Sequence, residues 1–113
     1  MAQDKSALGA SNEAPRASVY VVRVAPKDSA ALLERIHKTL AYEVENLPGF
    51  LEAHVLVSDD RSCIIVESLW TTRHDWSHSR WDDVVQAALA DLHQSSESVD
   101  LKFYGRREIL SRL

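Results

Sequence analysis

One cysteine, three glycines and three prolines are all that 113 residues contain of each. A lone Cys63 excludes an internal disulfide and fits a reducing cytoplasm, and on a strand it reads as a buried, inert thiol. Three glycines leave no glycine-rich phosphate loop, so a nucleotide cofactor has no dedicated motif. No apolar run approaches the ~18–20 residues that span a bilayer, and the N-terminus lacks the apolar segment of a signal peptide. The expected location is the cytoplasm. Basic residues are also short, 13 Lys and Arg against 17 Asp and Glu for a net charge of -4. With no long basic run, neither nucleic acid nor an anionic membrane is a natural partner.

What the chain does contain is ordinary globular composition, 45% hydrophobic and 27% charged, at a length suited to one domain. Residues 1–17 are rich in Ala, Ser and Asn with no hydrophobic period and read as a disordered tail, leaving 18–113 as the folded domain. Val19 to Val24 is β-branched and aromatic, a first strand. Leu32, Leu33, Ile36, Leu40, Val44 and Leu47 then recur at three- and four-residue steps, which predicts a helix from about Ser29 to Asn46 capped by Asp28 or Ser29. Pro48-Gly49 stops it.

Leu51 to Val57 and Ile64 to Trp70, joined by a polar turn, predict a β-hairpin. In it Leu51, Ala53, Val55 and Val57 share one face and Glu52, His54 and Leu56 the other. Thr71 to Gln94 predicts a short helical turn, capped by Thr72 or Asp75, and a longer helix from near Trp81. Val99 to Arg107 is a fourth strand, and Glu108 to Leu113 an extension suited to reach a partner subunit.

The order β-α-β-β-α-β predicts an α+β, ferredoxin-like fold, with two helices on one face of a four-stranded antiparallel sheet. The other sheet face is apolar too, and a second copy of the chain is the available cover. A homodimer follows, closing into a dimeric α+β barrel.

Asn46-Leu47-Pro48-Gly49-Phe50, a hairpin ending in Trp70, and Trp76 with His78 at the next helix start together resemble the antibiotic biosynthesis monooxygenase family over about Val19 to Leu110. The helix start is similar to that family's aromatic-x-x-His-x-x-Ser pattern, although His78 follows Trp76 by two positions and Trp81 replaces a small residue. The resemblance implies a small oxygenase that oxidises an aromatic polyketide, anthrone or quinol with O₂ and uses no cofactor. Trp70 stands where anthrone oxygenases keep a pocket tryptophan, but Val66 stands where they keep an asparagine. Haem-degrading members use an Asn, Trp and His set that strand one and the second helix do not match.

The candidate residues each carry a second reading. Trp70 either stacks on a flat substrate, in a wall shared with Val66 and Ser68, or closes the core. His54, with Glu52 two residues away, is either a base or a hydrogen-bonded strand histidine; His78 is either a base or a surface residue. Arg23, Tyr104 and Arg106 are donors for a substrate oxygen or rim residues. Trp76 and Trp81 form a lid or pack the core, and Glu67 is a buried acid or an interface residue. His74 and His78 lie four apart, but no third metal ligand is near, so no metal site is expected.

His54 and Trp70 are expected to point into the barrel while Leu51, Ala53 and Val55 pack under the helices. The enzyme reading requires His54, Trp70 and Tyr104 to converge on one cavity. A polyketide cyclase or aromatase and a non-catalytic binding or accessory protein are the alternatives.

Overall fold

The computed structural model describes residues 16–105. Four strands, β1 (Arg16–Arg23), β2 (Phe50–Val57), β3 (Cys63–Trp70) and β4 (Ser98–Tyr104), form one antiparallel sheet in the order β2-β3-β1-β4. Helices α1 (Pro26–Tyr42), α2 (Arg73–Ser79) and α3 (Asp83–Ser95) complete the ferredoxin-like arrangement. Strand β1 begins at Arg16, so Arg16 and Ala17 belong to the sheet and not to a tail. Residues 106–113, and with them Arg106 and the expected C-terminal extension, lie outside the described residues.

Helix α1 starts earlier than the apolar stripe suggests. Its N-cap is Ala25, which makes no side-chain cap; Pro26 opens the first turn with its φ already helical. Ser29, expected as a cap, is buried inside the helix. The helix ends at Tyr42, and a 3-10 turn over Val44–Asn46 carries Val44 onto the core. Thr72 caps α2 as expected, accepting from the Asp75 N–H, and Asp82 caps α3 by accepting from Val84 and Val85.

The hairpin turn is organised by Asp60, whose carboxylate accepts hydrogen bonds from the Ser62 hydroxyl and N–H and from Ser58. These bonds favour the ionised form and hold its pKa down to about 2. Across this turn Val57 pairs with Ile64, so odd-numbered β2 positions oppose even-numbered β3 positions. Ala53 opposes Ser68 and Val55 opposes Val66 on the helix-covered face; His54 opposes Glu67 on the other.

A register shift between Phe50 and Glu52 leaves Leu51 exposed, and Phe50 turns inward in its place, edge-on to Trp70 at 5.5 Å between ring centres. Leu51 therefore does not pack under the helices, whereas Ala53 and Val55 lie on the face that does.

Two apolar clusters fill the space between sheet and helices. Val22, Val24, Leu32, Ile36, Ile64, Val66 and Leu92 form the larger; Val44, Trp70 and Trp76 form the second. The bidentate Arg35–Asp91 pair, at 2.8 and 3.4 Å, ties α1 to α3 on the outside. Its partners are exposed, which limits it to roughly 0–1 kcal/mol.

Gly49 links the first helical layer to the hairpin at φ +80°, a left-handed backbone that disfavours every side chain. A Cβ there would also fall within 3.0 Å of the Asp75 side chain. Gly49→Ala is expected to cost at least about 1–3 kcal/mol from the backbone alone. Urea unfolding of the two proteins measures it, and an unchanged midpoint would refute this account.

Candidate active site

A cavity opens between the sheet and the helices. Its floor is alternate residues of the two central strands, Ser18 and Tyr20 from β1 and Val66, Ser68 and Trp70 from β3. Ile36, Leu40 and Val44 form one wall, Trp76, Val85 and Leu89 the other, and Arg35, Arg80 and Asp91 ring the mouth. The cavity volume is about 100 Å³, and all the empty space in the hollow, including its open side, is about 770 Å³. A closed apolar cavity of about 150 Å³ accommodates benzene. The cavity is smaller than that, so an aromatic ligand either displaces the walls or extends through the mouth.

Its chemistry is apolar with a few fixed polar groups. Ser18 and Ser68, partners across β1 and β3, share a hydrogen bond of 2.7 Å. The Trp70 indole N–H donates to Ser68 Oγ at 2.8 Å, which locks the ring. Trp76 stacks on Phe103 at 4.3 Å, and this pair is flanked by guanidinium groups, Arg73 over Phe103 at 5.2 Å and Arg80 over Trp76 at 5.3 Å. Burial pushes the Tyr20 phenol above its ordinary 10.0, and the charge of Arg80 pulls it partly back. Tyr20 is thus a neutral hydroxyl at physiological pH. Hydrogen bonds from Arg35 hold the Asp91 carboxyl below its ordinary range, which makes it a poor base.

The residues singled out from sequence divide between the two sheet faces. Val66, Ser68, Trp70 and Trp76 line the cavity. Trp81 is 75% exposed in a shallow groove that shares Arg80 and Leu89 with the cavity and continues its mouth outward.

Glu52 and His54 bond to each other on the opposite face. Arg23 and Tyr104 belong to that same face, Tyr104 pairing with Ala17. His78 is exposed on α2, its ring 5.6 Å from that of His74. The expected convergence of His54, Trp70 and Tyr104 does not occur: Trp70 faces the helices and the other two face away. No group of three metal-ligating side chains occurs among the described residues.

Ser18, Tyr20, Arg35 and Arg80 were missed. The first two were visible in principle, because alternation in β1 puts them in phase with Val22 and Val24. The arginines had no local signal, since helix packing alone brings them to the mouth.

The domain is ferredoxin-like, with an apolar, aromatic-walled cavity between sheet and helices. The chain belongs to the antibiotic biosynthesis monooxygenase family, whose model matches residues 16–99. No curated protein matches it in sequence.

Among solved structures, it is similar to SnoaB, a cofactor-independent oxygenase from Streptomyces nogalater, in a mutant form. The identity is 16% and the TM-score 0.75, covering 87% of this chain and 98% of that one. It is also similar to the monooxygenase from the gene ActVA-Orf6 of Streptomyces coelicolor, in complex with nanaomycin D, at 18% identity and TM-score 0.74 over 88% and 94%. Rv0793 from Mycobacterium tuberculosis is similar at 13% identity and TM-score 0.74 over 87% and 100%. These likenesses establish the fold. No helix among the described residues is long and apolar enough to cross a membrane.

The burial of Tyr20 has a pH consequence. Its folded pKa lies above the unfolded value, so stability is whole below pH 10 and falls as pH rises through the folded value. With Tyr42 and Tyr104 changed to phenylalanine, phenolate absorbance should titrate Tyr20 above 10.0, and Arg80→Gln should raise it further. A midpoint unmoved by Arg80→Gln would mean that the guanidinium does not face the phenol.

Proposed function

We propose that this protein is a cofactor-independent monooxygenase acting on an electron-rich aromatic of the anthrone or quinol kind. The observation that carries the reading is the cavity itself, apolar and walled by Trp70 and Trp76, with a neutral phenol and a guanidinium at its edge. An anthrone anion can reduce O₂ directly. One oxygen atom becomes the new carbonyl of the former CH₂ carbon, the other leaves as water, and both hydrogens depart with it. No outside reductant is needed. Trp70 and Trp76 hold the ring, the deep end excludes water, Tyr20 donates to a substrate oxygen, and Arg80 stabilises the anion. His54 and His78 have no part in this scheme because neither lines the cavity.

The cyclase alternative needs a placed base, and among the described cavity residues neither an imidazole nor an unpaired carboxylate provides one. The non-catalytic binding reading keeps a specific point in its favour, the apolar Val66 where the resemblance calls for an amide. An oxygen electrode decides between them. We expect anthrone to consume one O₂ per molecule with no flavin added and with chelator present. Arg80→Gln should slow this at least about tenfold, or 1.4 kcal/mol. Binding without uptake would instead make it an accessory protein, and the same cavity would serve either role.

The second part of the reading is assembly. The sheet face away from the helices carries half-buried Val19, Val21 and Ile65 and exposed Leu56, with no covering element among the described residues. A homodimer through this face, in the cytoplasm, is the arrangement we propose. Light scattering should give the mass of two chains at micromolar concentration; a stable monomer there would refute it.

A further inference from the structure

The floor of the cavity holds one hydrogen-bond donor more than it uses. Ser18, Ser68 and Trp70 are all buried, at 1%, 7% and 3% exposure, and all three line the cavity. Between them they own three donor hydrogens, the indole N–H and two hydroxyls. Two hydrogen bonds join them, Trp70 to Ser68 at 2.8 Å and Ser68 with Ser18 at 2.7 Å. Indole nitrogen only donates, so Ser68 Oγ is the acceptor of the first bond. Whichever serine donates the second, one hydroxyl hydrogen remains with no acceptor among the described side chains.

Direction follows from cooperativity. An oxygen that accepts a hydrogen bond becomes a stronger donor, so the ordered indole N–H biases Ser68 to donate to Ser18. The unused hydrogen then belongs to Ser18, at the end of a Trp70 to Ser68 to Ser18 relay. Around it the cavity is apolar, and a buried donor calls for a partner. Tyr20, two residues along β1 on the same face, adds a second neutral hydroxyl, because burial keeps its proton on.

We propose that Ser18 and its relay form an oxygen-acceptor subsite, in which the Ser18 hydroxyl donates to a carbonyl or enolate oxygen of a flat aromatic ligand. That oxygen would enter first, leaving the rest of the ring system toward Arg80 and the mouth. The ligand class is then an aryl ketone or quinone, and a hydrocarbon of the same outline lacks what the floor recognises. This rests on the aromatic-ligand reading of the cavity given above.

The test compares anthrone with 9,10-dihydroanthracene, which replaces the carbonyl by CH₂ in nearly the same outline. Titration is done anaerobically, by tryptophan fluorescence, so that binding is read apart from oxygenation. The wild type should prefer anthrone by about tenfold, which is 1.4 kcal/mol. Ser18→Ala should remove the preference while leaving dihydroanthracene affinity unchanged. If Ser18→Ala does not fold, Ser18→Cys, a close isostere with a weaker donor, should shrink the preference.

A preference that survives Ser18→Ala, or that Ser18→Cys leaves at its full size, overturns the subsite. If the wild type takes up neither compound, both the subsite and the aromatic reading fall. Preference lost with Ser18, in a protein that consumes no oxygen in air, supports the subsite and rejects only the oxygenase reading.

Discussion

The register of β1 against β3 is the constraint on which the rest depends. Pairing Ser18 with Ser68 and Tyr20 with Val66 places every second residue of the two central strands under the helices. A slip of one residue would present Val19 and Val21 there if β1 moved, or Ile65 and Glu67, with a carboxylate in the core, if β3 moved. The buried hydroxyl pair exists only in the observed register. Hydroxyls that hydrogen-bond across an apolar floor specify alignment in a way that interchangeable valines and isoleucines do not.

From that alignment the cavity follows by geometry. Helices α1 and α3 rest on the apolar end of the floor, where Val22, Val24 and Ile64 meet Leu32, Ile36 and Leu92. At the other end the floor carries a tryptophan and two serines. Trp76 reaches it from α2, supported from behind by Phe103. The two guanidinium groups flanking that aromatic pair favour the stacked arrangement. Gly49 matters here as well, because the close approach of its backbone to Asp75 sets where α2 begins relative to the hairpin.

Much of this was legible in sequence, and the failures share a cause. Element order, the hairpin and the Thr72 cap were readable because each is a local signal; the Pro-Gly stop placed the helix end near Asn46, whereas α1 ends at Tyr42 and a 3-10 turn fills the interval. The apolar stripe of α1 identified Leu32, Ile36 and Val44 correctly. The faces of the hairpin were not readable, since alternation gives each strand two faces but not which face of one strand joins which face of the next. That depends on the turn, where Asp60 and the serines set Val57 opposite Ile64. The Phe50–Glu52 bulge then undid the parity of Leu51 as well. Placing His54 with Trp70 was a parity error across one turn, and every cavity residue inferred from His54 inherited it.

Among the described residues no histidine lines the cavity, so its electrostatics rest on the other charged and polar groups. Asp91 is neutralised by Arg35, and Tyr20 is held neutral by burial, so Arg80 supplies the unbalanced charge among the described cavity residues. At an effective dielectric of ~20, a unit charge about 6 Å away stabilises an anion by roughly 3 kcal/mol. That corresponds to about two pKa units on a bound phenol or anthrone. Such a shift is comparable to what a modest general base contributes, and it needs no proton-accepting side chain: the proton leaves to water at the open mouth. On this reading the protein lowers the acidity barrier by a field rather than by a base, and the absence of a cavity imidazole is compatible with oxygenation. In a purely binding role the same field would favour anionic over neutral aromatics.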